Sequence, residues 1–139
     1  MEHNYKYIRW FKDIGIDDVP LVGGKNASLG EMYRELTPKG IKIPDGFATT
    51  ADAYFEIIKT SGVYHELQTL MSSIDKTNVA ELASKGKQAR ELILGAGIPS
   101  NIWNEIRTSY SNLCLEYGYE VEVAVRSSAT AEDLPNASF

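Results

Sequence analysis

The hydrophobic period of this chain changes at Gly118. Before it, Ile102, Ile106, Tyr110, Leu113 and Tyr117 recur every three or four residues, the spacing of a helix with one apolar face. After it, Val121, Val123 and Val125 alternate with Glu122, Ala124 and Arg126, the period of a half-buried strand. A chain that passes from helix to strand across one glycine has to pack helices on a sheet. This restricts it to the α/β or α+β classes. At the other end, "YIRWF" from Tyr7 to Phe11 is aromatic and β-branched and predicts a short strand. The order is strand, helices, strand, a helix-rich α/β (α+β) chain. A length of 139 residues suggests one domain. A chain of that size buries roughly two-thirds of its unfolded surface.

The middle of the chain reads as helices between glycine and proline stops. "DIGIDDVPLVGG" predicts a loop, and a helix follows from Asn26 or from Ser28. Leu29, Met32, Tyr33 and Leu36 give that helix an apolar face, and Pro38 and Gly40 end it. Pro44-Asp45-Gly46 predicts a turn before a short extended piece at Phe47 and Ala48. Thr49 or Thr50 caps the next helix, with Tyr54, Phe55 and Ile58 inward and Gly62 at its end. A short helix carries Val63, Leu67, Leu70 and Met71 on one side. Thr77 or Asn78 caps another, whose core face is Val79, Leu82, Ala83, Ala89, Leu92 and Ile93. Gly86 inside it costs about 1 kcal/mol against alanine, which suggests a close approach by another backbone. Gly95 and Gly97 separate it from the last helix, begun by Pro99 and Ser100.

Charge and cysteine usage exclude some functions. The net charge of -5 argues against a nucleic-acid module, which carries a basic excess. A local anion site is still allowed, because a few cations within a Debye length of about 8 Å outweigh the total. Cys114 is the one cysteine, so an intrachain disulfide and a cysteine metal site are both excluded. It reads as a small apolar helix residue. "MEHNYKYIRWF" has no apolar core of a signal peptide, and no run approaches the ~20 apolar residues of a spanning helix. A cytoplasmic location is expected.

Two segments carry chemistry. Gly23-Gly24-Lys25 precedes a helix, and amides at a helix N-terminus with a lysine beside them attract phosphate. It is not a Walker A loop: Val19 stands where that motif has its first glycine, and Asn26 where it has Ser or Thr. The plainer reading is a loop entering a capped helix, with Ser28 and Glu31 at capping-box spacing. On that segment alone the plainer reading is favoured. The second segment is Arg126 with Ser127, Ser128 and Thr130. The arginine lies on the face opposite the three valines. Hydroxyls and small residues then let a ligand come close at a strand end. The plainer reading here is a polar loop capping a helix, with Thr130 ahead of Glu132 and Asp133. Those two acids are poor magnesium candidates, since adjacent side chains rarely converge. His3 reads as a tail residue and His65 as a helix-surface residue.

Three stretches together carry a resemblance: "VGGKNASLGEM" (Val22 to Met32), "IPDGFATTADAY" (Ile43 to Tyr54) and "VAVRSSATAEDLPNASF" (Val123 to Phe139). In order and spacing the chain resembles the N-terminal region of the phosphoenolpyruvate synthase (pyruvate, water dikinase) family. Pyruvate, phosphate dikinase and rifampicin phosphotransferase share that architecture. The resemblance implies that residues 1–139 are the first part of an ATP-grasp-type nucleotide-binding domain. It implies a reaction of ATP, pyruvate and water to AMP, phosphoenolpyruvate and phosphate, through a phosphohistidine on another domain. Lys25 and Arg126 would then contact the ATP phosphates, with Gly24, Ser127, Ser128 and Thr130 as weaker contributors. Magnesium would accompany the ATP, on ligands outside this chain.

In the family the last motif continues past Ala137-Ser138-Phe139 with Ala-Gly-Gln and a threonine, part of a lid. The expectation is therefore a chain truncated at its C-terminal end, without catalytic residues or activity of its own. Its partners would be ATP, the rest of the nucleotide domain, the phosphohistidine domain and a C-terminal pyruvate-binding barrel. The alternatives are a related dikinase or antibiotic phosphotransferase, or a stand-alone nucleotide- or protein-binding module.

Overall fold

A computed structural model describes residues 5–131. Strand β1 (Ile8–Trp10) pairs antiparallel with β2 (Phe47–Thr49), Ile8 opposite Thr49 and Trp10 opposite Phe47. The pairing continues beyond the strands, with Thr50 N donating to Tyr7 O at 2.9 Å and Phe11 N to Gly46 O at 3.0 Å. The aromatic piece near the start and the extended piece after the Pro-Asp-Gly turn thus form one hairpin-like sheet. The rings of Trp10 and Phe47 meet across it at 5.6 Å. Among the described residues this two-stranded sheet and its helices make a helix-rich α+β structure.

The strand expected at Val121–Val125 does not form. The segment 120–129 runs without helix, turn or bend, but no strand pairs with it among the described residues. A strand exists only through a neighbour's ladder, and neither β1 nor β2 pairs with this segment. What holds the start of this segment is a helix: Tyr110 Oη donates to Val121 O at 2.9 Å, and Val121 N to Cys114 Sγ at 3.5 Å. The alternating valines therefore lie open, Val123 at 51% and Val125 at 93% exposure.

The loop expected between Phe11 and Gly24 is more ordered than its composition suggests. It winds through 3-10 turns at Phe11–Asp13 and Ile16–Asp18 into the short helix α1 (Val19–Val22). Gly15 N donates to Asp18 Oδ2 at 2.8 Å, which closes the second turn. Helix α2 (Gly24–Leu36) follows, ended by a turn at Thr37–Lys39 and left-handed Gly40. Its buried residues are Gly24, Ala27 and Gly30, whereas Leu29, Tyr33 and Leu36 are half-buried and Met32 is exposed. The expected apolar face is thus displaced. The reason is close approach: a Cβ on Gly30 would stand 2.6 Å from Ile14 Cβ. Ile14, Val22, Ala27 and Ala48 form the core there, with Phe11, Val19 and Leu21 packed against it.

The last helix, α6 (Ser100–Tyr117), buries Ile102, Ser109 and Leu113, close to the expected face, though Tyr117 is exposed. Its Glu105 carboxylate accepts from Lys6 N at 3.1 Å and Tyr7 N at 2.7 Å, and so clamps the start of β1. Gly118 ends the helix with φ 78°.

Contacts divide the chain into two compact units, Tyr54–Ser100 and the described residues on either side of it. Helix α3 (Ala51–Thr60) leads into the first of these, capped by Thr50 Oγ1, which accepts from Ala53 N at 3.3 Å. Within the unit, α4 (Tyr64–Ser72) packs on α5 (Val79–Gly95). Asn78 caps α5 by accepting from Glu81 N at 3.1 Å. Ile58 and Leu67 are buried, but Tyr54, Phe55, Met71, Val79 and Leu82 are exposed and α5 buries no residue. Those helical apolar positions were expected inward. A pair of helices this thin buries only a narrow stripe. Among the described residues Gly86 meets no backbone either; a Cβ there would find only Arg90 Nη1 at 3.5 Å. Among the described residues no helix is long and apolar enough to cross a membrane.

Candidate functional site

The two segments singled out in the sequence meet. Gly23 takes φ 82° and ψ 161°, a conformation restricted in practice to glycine, and serves as the N-cap of α2. A Cβ on it would overlap Ser128 Oγ and stand 2.8 Å from the Ser128 carbonyl carbon. The glycine pair is therefore the seat on which the loop after Arg126 rests. Gly24 N donates to Ala129 O at 3.3 Å, and Asn26 N donates to Ser128 Oγ at 3.3 Å. Asn26 Nδ2 also reaches back to Val22 O at 2.9 Å, which ties α1 to α2.

This geometry changes the chemistry expected of the helix terminus. Two donors from its first turn, the Gly24 and Asn26 amides, are taken by the neighbouring loop. Ser128, half-buried, accepts from Asn26 through its hydroxyl oxygen, and the Ala129 carbonyl accepts from Gly24. The exposed side chains at this place are Lys25 on the first turn of α2 and Arg126, Ser127 and Thr130 on the loop. The capping box expected from Ser28 and Glu31 does not form. Ser28 is exposed, and Glu31 Oε2 accepts from Ile16 N at 3.0 Å, holding the preceding turn instead. Sequence reasoning missed Asn26 and Ala129. The paired glycines were the signal, since a second glycine beside a helix start marks a backbone contact.

The acids contribute differently. Among the described residues no group of three or more His, Cys, Asp and Glu gathers to hold a metal ion. His3, Glu132 and Asp133 lie outside the described residues. His65 is exposed on α4, as expected of a surface residue. A separate polar cluster forms at the Pro44-Asp45-Gly46 turn. Asp45 N donates to Tyr117 Oη at 3.0 Å, and Asp45 Oδ1 accepts from Gly46 N at 2.7 Å. Burial pushes the Asp45 carboxyl above its ordinary value, and Glu116 adds to this. The Gly46 amide, Lys12 and Tyr33 pull the other way. The Tyr33 phenol is likewise pushed up, by burial first and then by the charges of Asp45 and Glu116.

Comparison with known proteins agrees with the motifs. Residues 19–139 match the family described as pyruvate phosphate dikinase, AMP/ATP-binding domain. The phosphoenolpyruvate synthase of Helicobacter pylori is 49% identical over 135 residues, covering 96% of this chain and 17% of that protein. That of Synechocystis is 49% identical over 137 residues, 95% of this chain and 17% of the relative. The Escherichia coli enzyme is 43% identical over 132 residues, 95% of this chain and 16% of the relative. The chain thus spans about a sixth of the length of these curated relatives. It belongs to the pyruvate phosphate dikinase AMP/ATP-binding domain family.

Proposed function

We propose that this chain forms the phosphate-facing wall of the nucleotide site of a phosphoenolpyruvate synthase. The observation that carries the reading is the seating of the Ser128-Ala129 backbone on Gly23-Gly24, which gathers Lys25 and the Arg126 loop around one helix start. In the complete protein ATP, pyruvate and water give AMP, phosphoenolpyruvate and phosphate through a phosphohistidine on another domain. Residues 1–139 are the first part of an ATP-grasp-type domain in this reading. Magnesium comes with the nucleotide on ligands from elsewhere in the protein, and the pyruvate-binding barrel lies elsewhere too.

The chain's own residues bind and orient. Arg126 offers a planar fork that matches phosphate oxygens, and Lys25 a mobile point charge. Ser127 and Thr130 can donate hydroxyl hydrogen bonds to the same oxygens. Gly24 and Ser128 hold the two segments in register, and Ser128, whose hydroxyl oxygen accepts from Asn26, keeps its hydroxyl hydrogen to donate. Two unit charges 4 Å apart gain roughly 4 kcal/mol at an effective dielectric near 20 and about 1 in water. Lys25 and Arg126 are exposed here, so the lower figure applies, and ATP binding by the chain alone is weak, about millimolar.

Amide NMR shifts on titration with ATP and magnesium test the reading. Shifts confined to residues 23–28 and 126–130, saturating in the millimolar range, are expected. Shifts elsewhere, or micromolar affinity by calorimetry, would overturn it. In the full-length enzyme, Lys25→Ala and Arg126→Ala should each lower ATP-dependent histidine phosphorylation by about a hundredfold or more, since charge stabilisation dominates phosphoryl transfer. Near-wild-type phosphorylation rejects the assignment.

A further inference from the structure

Helices α1 and α2 are two pieces of one helix broken at a single residue. Across the break, Gly23 N donates to Val19 O at 2.9 Å and Ala27 N to Gly23 O at 3.0 Å, both with the four-residue spacing of an α-helix. Two amides between them depart from that pattern. In an unbroken helix Gly24 N would donate to Pro20 O and Asn26 N to Val22 O. Here, with Gly23 at φ 82°, Gly24 N goes to Ala129 O and Asn26 N to Ser128 Oγ. Val22 is buried, and a buried carbonyl left without a donor is costly. Its donor is the Asn26 side chain, whose Nδ2 lies 2.9 Å away.

One residue thus supplies both amides that hold the break open. We infer that Asn26 is a positioning residue for the phosphate-facing wall: its side-chain amide takes the place of its backbone amide at Val22 O, so that the backbone amide is left for Ser128 and the Arg126 loop stays seated. The alternative state is a continuous helix from Val19 to Leu36, in which Asn26 N returns to Val22 O and the loop loses its seat. Gly23 leaves both states open, because glycine adopts helical angles as readily as a positive φ. Alanine or leucine at position 26 can donate to Val22 O only through the backbone. Both are also better helix formers than asparagine, so both favour the continuous helix. A ligand that needs the seated loop then binds only the remaining fraction of the protein, and its apparent affinity falls by that fraction. The consequence for nucleotide rests on the proposed function; the competition between the two amides of Asn26 does not.

Two readouts test this. Amide and carbon NMR shifts of the 139-residue chain, without nucleotide, read the break itself. The variants are Asn26→Leu, which keeps the branched outline of the side chain and removes its donor, and Asn26→Ala. In both, residues 22–26 should move towards helical values, and the Ser128 and Ala129 amides should shift with them. Signals of Ile8 and Ile102, buried in β1 and α6, should stay in place. In the full-length enzyme the same variants should raise KM for ATP about tenfold while kcat for histidine phosphorylation stays within about twofold, since saturating nucleotide draws the loop back to its seat. Unchanged shifts at 22–26 and 128–129 overturn the inference. So does a local change with KM unaltered, which makes the break irrelevant to the nucleotide. A fall in kcat with unchanged KM also overturns it, because it signals lost protein rather than a lost seat. Failure of the ATP-site reading shows instead as wild-type phosphorylation by Lys25→Ala and Arg126→Ala, so the two failures are distinguishable.

Discussion

Single residues decide how the candidate site is assembled, and Gly23 most of all. It combines a positive φ with direct backbone contact to Ser128. Gly23→Ala is expected to cost about 1–3 kcal/mol for the backbone conformation, with a further loss as the 126–130 loop is pushed away. Denaturant unfolding gives the first quantity, and shifts of the Ser128 and Ala129 amides report the second. Unchanged stability would mean that the two segments do not pack as described. Asp45 illustrates the electrostatic side. Its folded-state pKa is raised above the ordinary 3.8, chiefly by burial, so the folded protein holds this proton more tightly than the unfolded chain does. Its contribution to stability is therefore most favourable below the ordinary value and declines as pH rises through the raised one. Asp45→Asn keeps an oxygen for the Gly46 amide. It should raise the melting temperature at neutral pH and give little gain below the ordinary carboxylate range. A variant less stable at pH 7 would contradict this.

At the scale of elements, the helices divide into those fixed by tertiary contact and those held mainly by local structure. Helix α2 is fixed by close approach, its small residues laid on Ile14 and on the loop at Ser128. Helix α5 is the opposite: Asn78 caps it, Lys85 and Glu81 pair at 2.6 Å one turn apart, and no residue is buried. Gly86 in its interior has open space around it, so the space for a Cβ is already there. Gly86→Ala should stabilise by about 1 kcal/mol through helix propensity and the unfolded-state entropy of glycine. A loss of stability in thermal denaturation would show that some backbone does approach Gly86. The element most misjudged from sequence is the one at Val121–Val125. Its period of two is real, but period records only which side chains share a face. The partner that turns a face into a sheet has to come from elsewhere.

For the whole molecule, the division into two units predicts uneven stability. The unit Tyr54–Ser100 has a thin core around Ile58 and Leu67. The other holds the sheet, the cluster at Ile14 and the Glu105 clamp. Native-state hydrogen exchange should therefore show α4 and α5 opening at lower free energy than the middle of α2 and α6. Equal protection in all four helices would mean that the chain unfolds as one cooperative body. Much of this organisation was legible in the chain. The positions of β1 and of the glycine-punctuated helices follow from periodicity and turn residues, and the Thr50 and Asn78 caps were among the choices named. Local steric and hydrogen-bonding preferences act within a few residues, so sequence alone determined where most helices stop and that Gly23-Gly24-Lys25 and the Arg126 loop were the segments to watch. Tertiary structure decided which helix faces are buried, that the Gly24 and Asn26 amides are spent on the loop, and that the valine segment has no strand partner among the described residues. Those outcomes depend on atoms roughly a hundred positions apart meeting within a few ångströms, as Asn26 and Ser128 do. No local pattern encodes such a meeting.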